Sequence, residues 1–219
     1  VLMKAERIDL CLNGEGRSQG ERQALTALLQ QLEGDIFVSV SLCSTHATLQ
    51  HLEDALLSGW AGPAGLQITK PSASARFVQA ASGLAPLKET LQHWEQLRSL
   101  NLSGLGMGIA GAQELACAMR ALAAPEHLET LELGQNNISD VGLTALVEAL
   151  QEKKCTALRH LGLALNEITE EGVACLARLL PNLRQLESLG LGQNRIWDAG
   201  MGPLVAAWKE GPELRSLDL

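Results

Sequence analysis

The sequence is short of aromatic residues: they make up 3% of its 219 positions, with no Tyr and two Phe. A core must therefore be filled by Leu and Ala, which suits stacked small units better than one large globular centre. Hydrophobic residues are nonetheless 46% of the chain, which excludes intrinsic disorder as its default state. No apolar run reaches the about 18 residues that a membrane-spanning helix needs. Positive charge is in deficit, with a formal net charge of −8, so a broad electrostatic grip on nucleic acid or anionic lipid is not expected.

Paired cysteine motifs are also missing. Cys11, Cys43, Cys117, Cys155 and Cys175 are odd in number and contain no C-x-x-C, which argues against a disulfide framework or a zinc site. Buried, reduced thiols are expected of them. Cys43-Ser-Thr-His46 is half of a metal pattern without the remaining ligands, so no metal is expected. Gly104-Leu-Gly-Met-Gly108 lacks the Lys-Ser/Thr of a phosphate-binding loop and falls on a turn. His46, His51, His93, His127 and His160 lie in no catalytic motif, and neither an enzyme nor a cofactor is expected. The chain starts at Val1 and stops inside a repeat, which reads as a fragment.

What is present is repetition. LRSLNL, LETLEL, LRHLGL, LESLGL and LRSLDL begin at Leu97, Leu128, Leu158, Leu186 and Leu214, at intervals of 31, 30, 28 and 28 residues. In each, the second and third leucines stand two apart and face the same side of a strand. Three residues beyond the third leucine come Asn136, Asn166 and Asn194, with Leu105 in that slot in the first clear repeat. A buried Asn there can satisfy backbone groups as the strand turns.

Two further positions on lie Met107, Ile138, Ile168 and Ile196. Ser139-Asp140 and Thr169-Glu170 then offer a hydroxyl cap and an acidic first turn to a helix. Gly111/Leu115/Met119, Gly142/Leu146/Leu150, Gly172/Leu176/Leu180 and Gly200/Leu204/Trp208 each fall four apart, on one helix face. Strand and helix periodicities thus alternate on a fixed cycle, which a helical bundle does not explain.

The pattern L-x-x-L-x-L-x-x-N-x-I, followed by a helix carrying G-x-x-x-L, resembles the ribonuclease-inhibitor type of leucine-rich repeat. Similar repeats occur in NOD-like receptors and in Ran GTPase-activating proteins. The resemblance implies an α/β leucine-rich-repeat solenoid, a horseshoe with a parallel inner sheet and outer helices. Residues 97–219 carry it as regular repeats of 28–31 residues, the last one truncated, and residues 1–96 read as degenerate repeats. There the candidate strands are Ile8–Leu12, Val38–Leu42 and Leu66–Ile68, aligned on Leu10, Val40 and Ile68. Helical stretches follow over about 21–32 and 47–57, with a longer or broken helix from Ser72 to Trp94.

Strand residues pointing away from the core are the expected binding surface of such a solenoid. They are Ser99, Thr130, His160, Ser188 and Ser216, then Asn101, Glu132, Gly162, Gly190 and Asp218, then Ser103, Gly134, Ala164 and Gly192. Asn101, Glu132, His160 and Asp218 are the candidate protein-binding residues on this face. Trp197 joins them, as either an exposed anchor or a plug against the next repeat, with Asp198 taking over the helix cap.

Arg98, Glu129, Arg159, Glu187 and Arg215 alternate in sign directly after each leading leucine. Parallel neighbours about 4.8 Å apart let them pair laterally, so this strip is expected to neutralise itself. By its resemblance the chain is expected to be a cytoplasmic, non-enzymatic scaffold that binds a protein partner, and the sensor region of an innate-immune NOD-like receptor. The rival is a GTPase activator similar to the Ran activators, for which Arg195 is the available loop arginine. A GTP hydrolysis assay separates the two.

Overall fold

Leucines two apart, one in the middle of a short strand and one just past its end, can be buried only if successive strands stack in one register. The computed structural model, which describes residues 7–12, 37–42, 65–69, 91–92 and 95–219, shows that stacking. The strands are β1 (Arg7–Leu12), β2 (Phe37–Leu42), β3 (Gly65–Thr69), β4 (Ser99–Asn101), β5 (Thr130–Glu132), β6 (His160–Gly162), β7 (Ser188–Gly190) and β8 (Ser216–Asp218). They form one parallel sheet in sequence order. The helices are α1 (Gly108–Arg120), α2 (Ser139–Lys153), α3 (Glu170–Leu179) and α4 (Asp198–Glu210), one after each strand from β4 to β7.

Leu100, Leu131, Leu161, Leu189 and Leu217 stand opposite one another along the sheet. Leu10 pairs with Val40, and Val40 with Ile68, the alignment expected from the sequence. The helices expected over 21–32 and 47–57, and all but Leu91 and Gln92 of the stretch 72–94, lie outside the described residues.

The core lies between sheet and helices. Leu97, Leu102, Leu128, Leu133, Leu158 and Leu163 are all sealed from solvent, each worth about 1.5–3 kcal/mol of burial. Helix glycines set how closely that layer packs. A Cβ on Gly142 would come within 2.8 Å of the Ala112 Cβ and 3.1 Å of the Ile138 Cβ. The G-x-x-x-L spacing therefore records close approach of α2 to α1, not flexibility. Burial declines in the last repeat, where Leu214 and Leu217 are only partly covered.

The asparagine ladder is continuous. The Asn136 N–H donates to Asn166 Oδ1 (3.0 Å), and the Asn166 N–H donates to Asn194 Oδ1 (2.9 Å). Each side-chain amide donates to its own repeat and to the preceding one: Asn166 Nδ2 reaches Leu163 O at 3.0 Å and Leu133 O at 2.9 Å. Gln135, Leu165 and Gln193, just before these asparagines, are left-handed, with φ of 60°, 57° and 57°. The ladder offsets a backbone cost of about 1–2 kcal/mol at each. In the first clear repeat, with Leu105 in the slot, Gly104 and Gly106 supply positive φ without that penalty.

Helix starts depart from expectation. Thr169 does cap α3, its Oγ1 accepting from the Glu171 N–H at 3.3 Å. Ser139 does not cap α2: it is the helix's first residue, at φ 52°, and the N-cap is Ile138 with no side-chain bond. Asp140 instead turns sideways, accepting from the Thr169 N–H (2.8 Å) and Thr169 Oγ1 (2.7 Å) of the next repeat. A stacked neighbour offers donors that an isolated helix lacks. Nor does Asp198 cap α4, whose N-cap is Trp197, again without a side-chain bond. No helix among the described residues is long and apolar enough to cross a membrane.

Candidate functional site

The strands alternate half-buried, buried, half-buried in β4, β5 and β7. One face of the sheet is therefore packed on the core and the other is left open. Parallel sheets are ordinarily covered on both faces, so an open one is a candidate binding surface.

Four of the expected binding residues lie on this open face. Asn101 stands opposite Glu132, and Glu132 opposite Gly162. Asn101 is partly engaged within its own turn, its Oδ1 accepting from the Ser103 N–H at 3.0 Å. The Glu132 carboxylate lies over Gly162, in space that any side chain at 162 would claim. Half-burial pushes its pKa up, and the nearby His160 imidazole opposes that rise in part. Asp218 repeats the arrangement on β8, its carboxylate 2.5 Å from where a Cβ on Gly192 would sit. Gly162 and Gly192 are seats for neighbouring carboxylates, whereas Gly134 and Gly190 have none over them.

The structure thus brings Asn101, Glu132 and His160 together on adjacent strands and sets Asp218 apart, two strands beyond His160. Trp197 lies elsewhere, on the loop from β7 to α4, where it is 69% exposed. Trp208, expected to pack, is half-buried.

The alternating charges pair across strands. Arg98 meets Glu129 at 3.5 Å, and Glu187 takes both Arg159 (2.7 Å) and Arg215 (3.0 Å). These pairs are exposed enough that each contributes roughly 0.2–1 kcal/mol. The strip is largely neutralised within the chain, as expected from its alternation. Arg195 is exposed on its loop and lies 3.9 Å from Glu167.

The cysteines need one correction. Cys155 and Cys175 are buried, but Cys117 is exposed on α1. Burial pushes the Cys155 thiol up to about 11. Cys43 and His46 lie outside the described residues, as do the side chains of β1 to β3. Sequence reasoning missed the carboxylate-over-glycine seats. Their trace is an acidic strand residue beside a glycine of an adjacent repeat: Glu132 stands opposite Gly162, and Asp218 lies diagonal to Gly192 of the preceding repeat.

Comparison with known proteins agrees with this architecture. The family model described as Leucine Rich repeat matches residues 124–147 and 154–177. Pig (Sus scrofa) ribonuclease inhibitor is 31% identical over 156 residues, covering 59% of this chain and 34% of that protein. Mouse (Mus musculus) NACHT, LRR and PYD domains-containing protein 14 is 34% identical over 126 residues, covering 57% of this chain and 12% of that protein. The chain thus spans well under two thirds of these relatives. Among solved structures, the leucine-rich repeat-containing protein LegL7 from Legionella pneumophila superposes with a TM-score of 0.57 over 90% of this chain and 59% of that one. At 16% identity that likeness speaks to the fold alone. Repeat, sheet, ladder and relatives agree: the chain carries leucine-rich repeats that resemble those of ribonuclease inhibitor and the repeat regions of NACHT, LRR and PYD domains-containing proteins.

Proposed function

We propose that the chain is a non-enzymatic scaffold that binds a protein partner, as the ligand-sensing repeat region of a cytoplasmic NOD-like-receptor-type protein. The observation carrying this reading is the open sheet face: a parallel sheet sealed on one side, with Asn101, Glu132 and His160 side by side on the other. Trp197 extends the surface onto the strand-to-helix rim, an exposed residue of the type that dominates binding energy at interfaces. The partner is a protein, neither nucleic acid nor a membrane, because the net charge is −8 and the open face carries Glu132 and Asp218.

The test is a pull-down with the complete gene product, with partners identified by mass spectrometry. Affinity of the recovered partner is then measured against Glu132→Lys and Trp197→Ala variants. A tenfold or greater loss in at least one variant is expected. A partner held equally well by both variants binds elsewhere and refutes the assignment of this surface.

A further inference from the structure

A cavity of about 520 Å³ opens where helices return to strands, on the side of the repeats away from the Trp197 rim. That size falls within the about 300–1,000 Å³ typical of ligand pockets. It lies between the segment that follows α2 and the segment that follows α3. Its apolar surface comes from Leu150, Leu179, Pro181 and Leu183, and its rim carries Lys154 and Arg184.

The rim charges belong, with Lys153, Arg178 and Lys209, to the cations that no carboxylate pairs among the described residues. Arg98, Arg120, Arg159, Arg195 and Arg215 each pair with a glutamate. Lys154 and Arg184, both exposed, have no ion pair among the described residues, in a chain of net charge −8. Lys154 is also held at φ 54° and ψ 51° as the C-cap of α2, a left-handed position that glycine ordinarily fills. Complementing the helix dipole accounts for Lys153 in the last turn. It does not account for Arg184, which follows the 3-10 turn Leu180–Asn182.

The charge arrangement restricts what fits. The carbonyl end of α2 would repel an anion brought deep into the cavity, whereas the apolar surface welcomes a side chain without charge. Carboxylates are favoured only further out, at the tips of Lys154 and Arg184. We propose that this cavity docks an acidic peptide segment of a protein partner, with one leucine- or phenylalanine-sized side chain in the cavity and flanking Asp or Glu residues on Lys154 and Arg184. This surface is separate from the open sheet face.

The test begins with a displayed library of linear peptides selected on the purified chain, and the selected consensus is synthesised for affinity measurement. Expected is a consensus with a bulky apolar residue flanked by acids. Its affinity should fall fivefold or more in a Lys154→Gly/Arg184→Ser double variant, and likewise in Thr156→Trp, which fills the cavity from its exposed wall. Glycine suits the left-handed position, so the double variant should melt no lower than the parent chain. That separates lost binding from lost fold. Glu132→Lys should leave the peptide's affinity unchanged, so failure here is distinct from failure of the sheet-face reading. No enrichment, a consensus without acids, or a loss below fivefold in either variant overturns the proposal.

Discussion

Replacing Asn166 by Ala removes the middle rung of the ladder, and the surrounding bonds tell how much that costs. Asn166 is fully buried, and its Oδ1 accepts from the Asn136 N–H at 3.0 Å and the Ile138 N–H at 3.4 Å. Both donors lose their partner in the variant. The carbonyls fare better. Leu133 O keeps Asn136 Nδ2 at 2.9 Å, Leu163 O keeps Asn194 Nδ2 at 2.9 Å, and Ala164 O keeps the Gln135 N–H at 2.9 Å. The penalty is therefore two orphaned buried donors at about 1–3 kcal/mol each, the longer bond counting least, so about 3–4 kcal/mol in total. Asn194 also accepts two backbone donors, at 2.9 and 3.1 Å, but it is only half-buried. Water can replace it, and Asn194→Ala should cost about 1–2 kcal/mol. Urea unfolding of the two variants measures the difference. Because repeat arrays can unfold in parts, hydrogen exchange at the Asn136 and Ile138 amides should accompany it. A cost below about 1 kcal/mol for Asn166→Ala, or one no larger than for Asn194→Ala, would refute the orphaned-donor reasoning.

Three further outcomes can be checked on the same chain. Gly142→Ala should destabilise it by about 1–3 kcal/mol of overpacking against Ala112, exceeding the roughly 1 kcal/mol that alanine adds in helix propensity. A higher melting temperature would show that α1 and α2 are not in close contact. Glu132→Gln should raise the melting temperature at neutral pH. Half-burial raises the Glu132 pKa, so the folded chain holds that proton more tightly than the unfolded chain does. Stability is then lost as pH climbs from the ordinary carboxylate range through the raised value, and the variant's advantage should vanish in acid. A Gln variant less stable at neutral pH contradicts that sign. Finally, peptide mapping after brief alkylation of the native chain should find Cys117 modified well before Cys155 and Cys175, both buried. Early labelling of Cys155 would contradict its raised pKa and burial.

Much of the solenoid is legible in order. Leu100/Leu102 and their successors mark the strands, Asn136, Asn166 and Asn194 mark the turns, and the Gly/Leu rows mark the helix faces. All are periodic signals within one repeat. The alternation of Arg98, Glu129, Arg159, Glu187 and Arg215 gives away lateral pairing, but not that Glu187 takes two arginines. Asp140 looks like a cap for its own helix and instead bonds Thr169 of the next repeat. That choice depends on a donor about 30 residues away, which the local pattern does not contain.

The candidate sites are read less well for the same reason. Glu132 and Asp218 can be assigned to the open face by counting along a strand. That their carboxylates settle on Gly162 and Gly192 follows only once neighbouring repeats are set side by side. The pairing of Lys154 with Arg184 at one cavity joins two connections that the sequence treats separately. By itself, then, the sequence determined the repeating unit, because periods of 2 and about 3.6 are local properties of strand and helix. The tertiary structure decided which side chains meet across repeats and which stay exposed, because those are set by the spacing between stacked units.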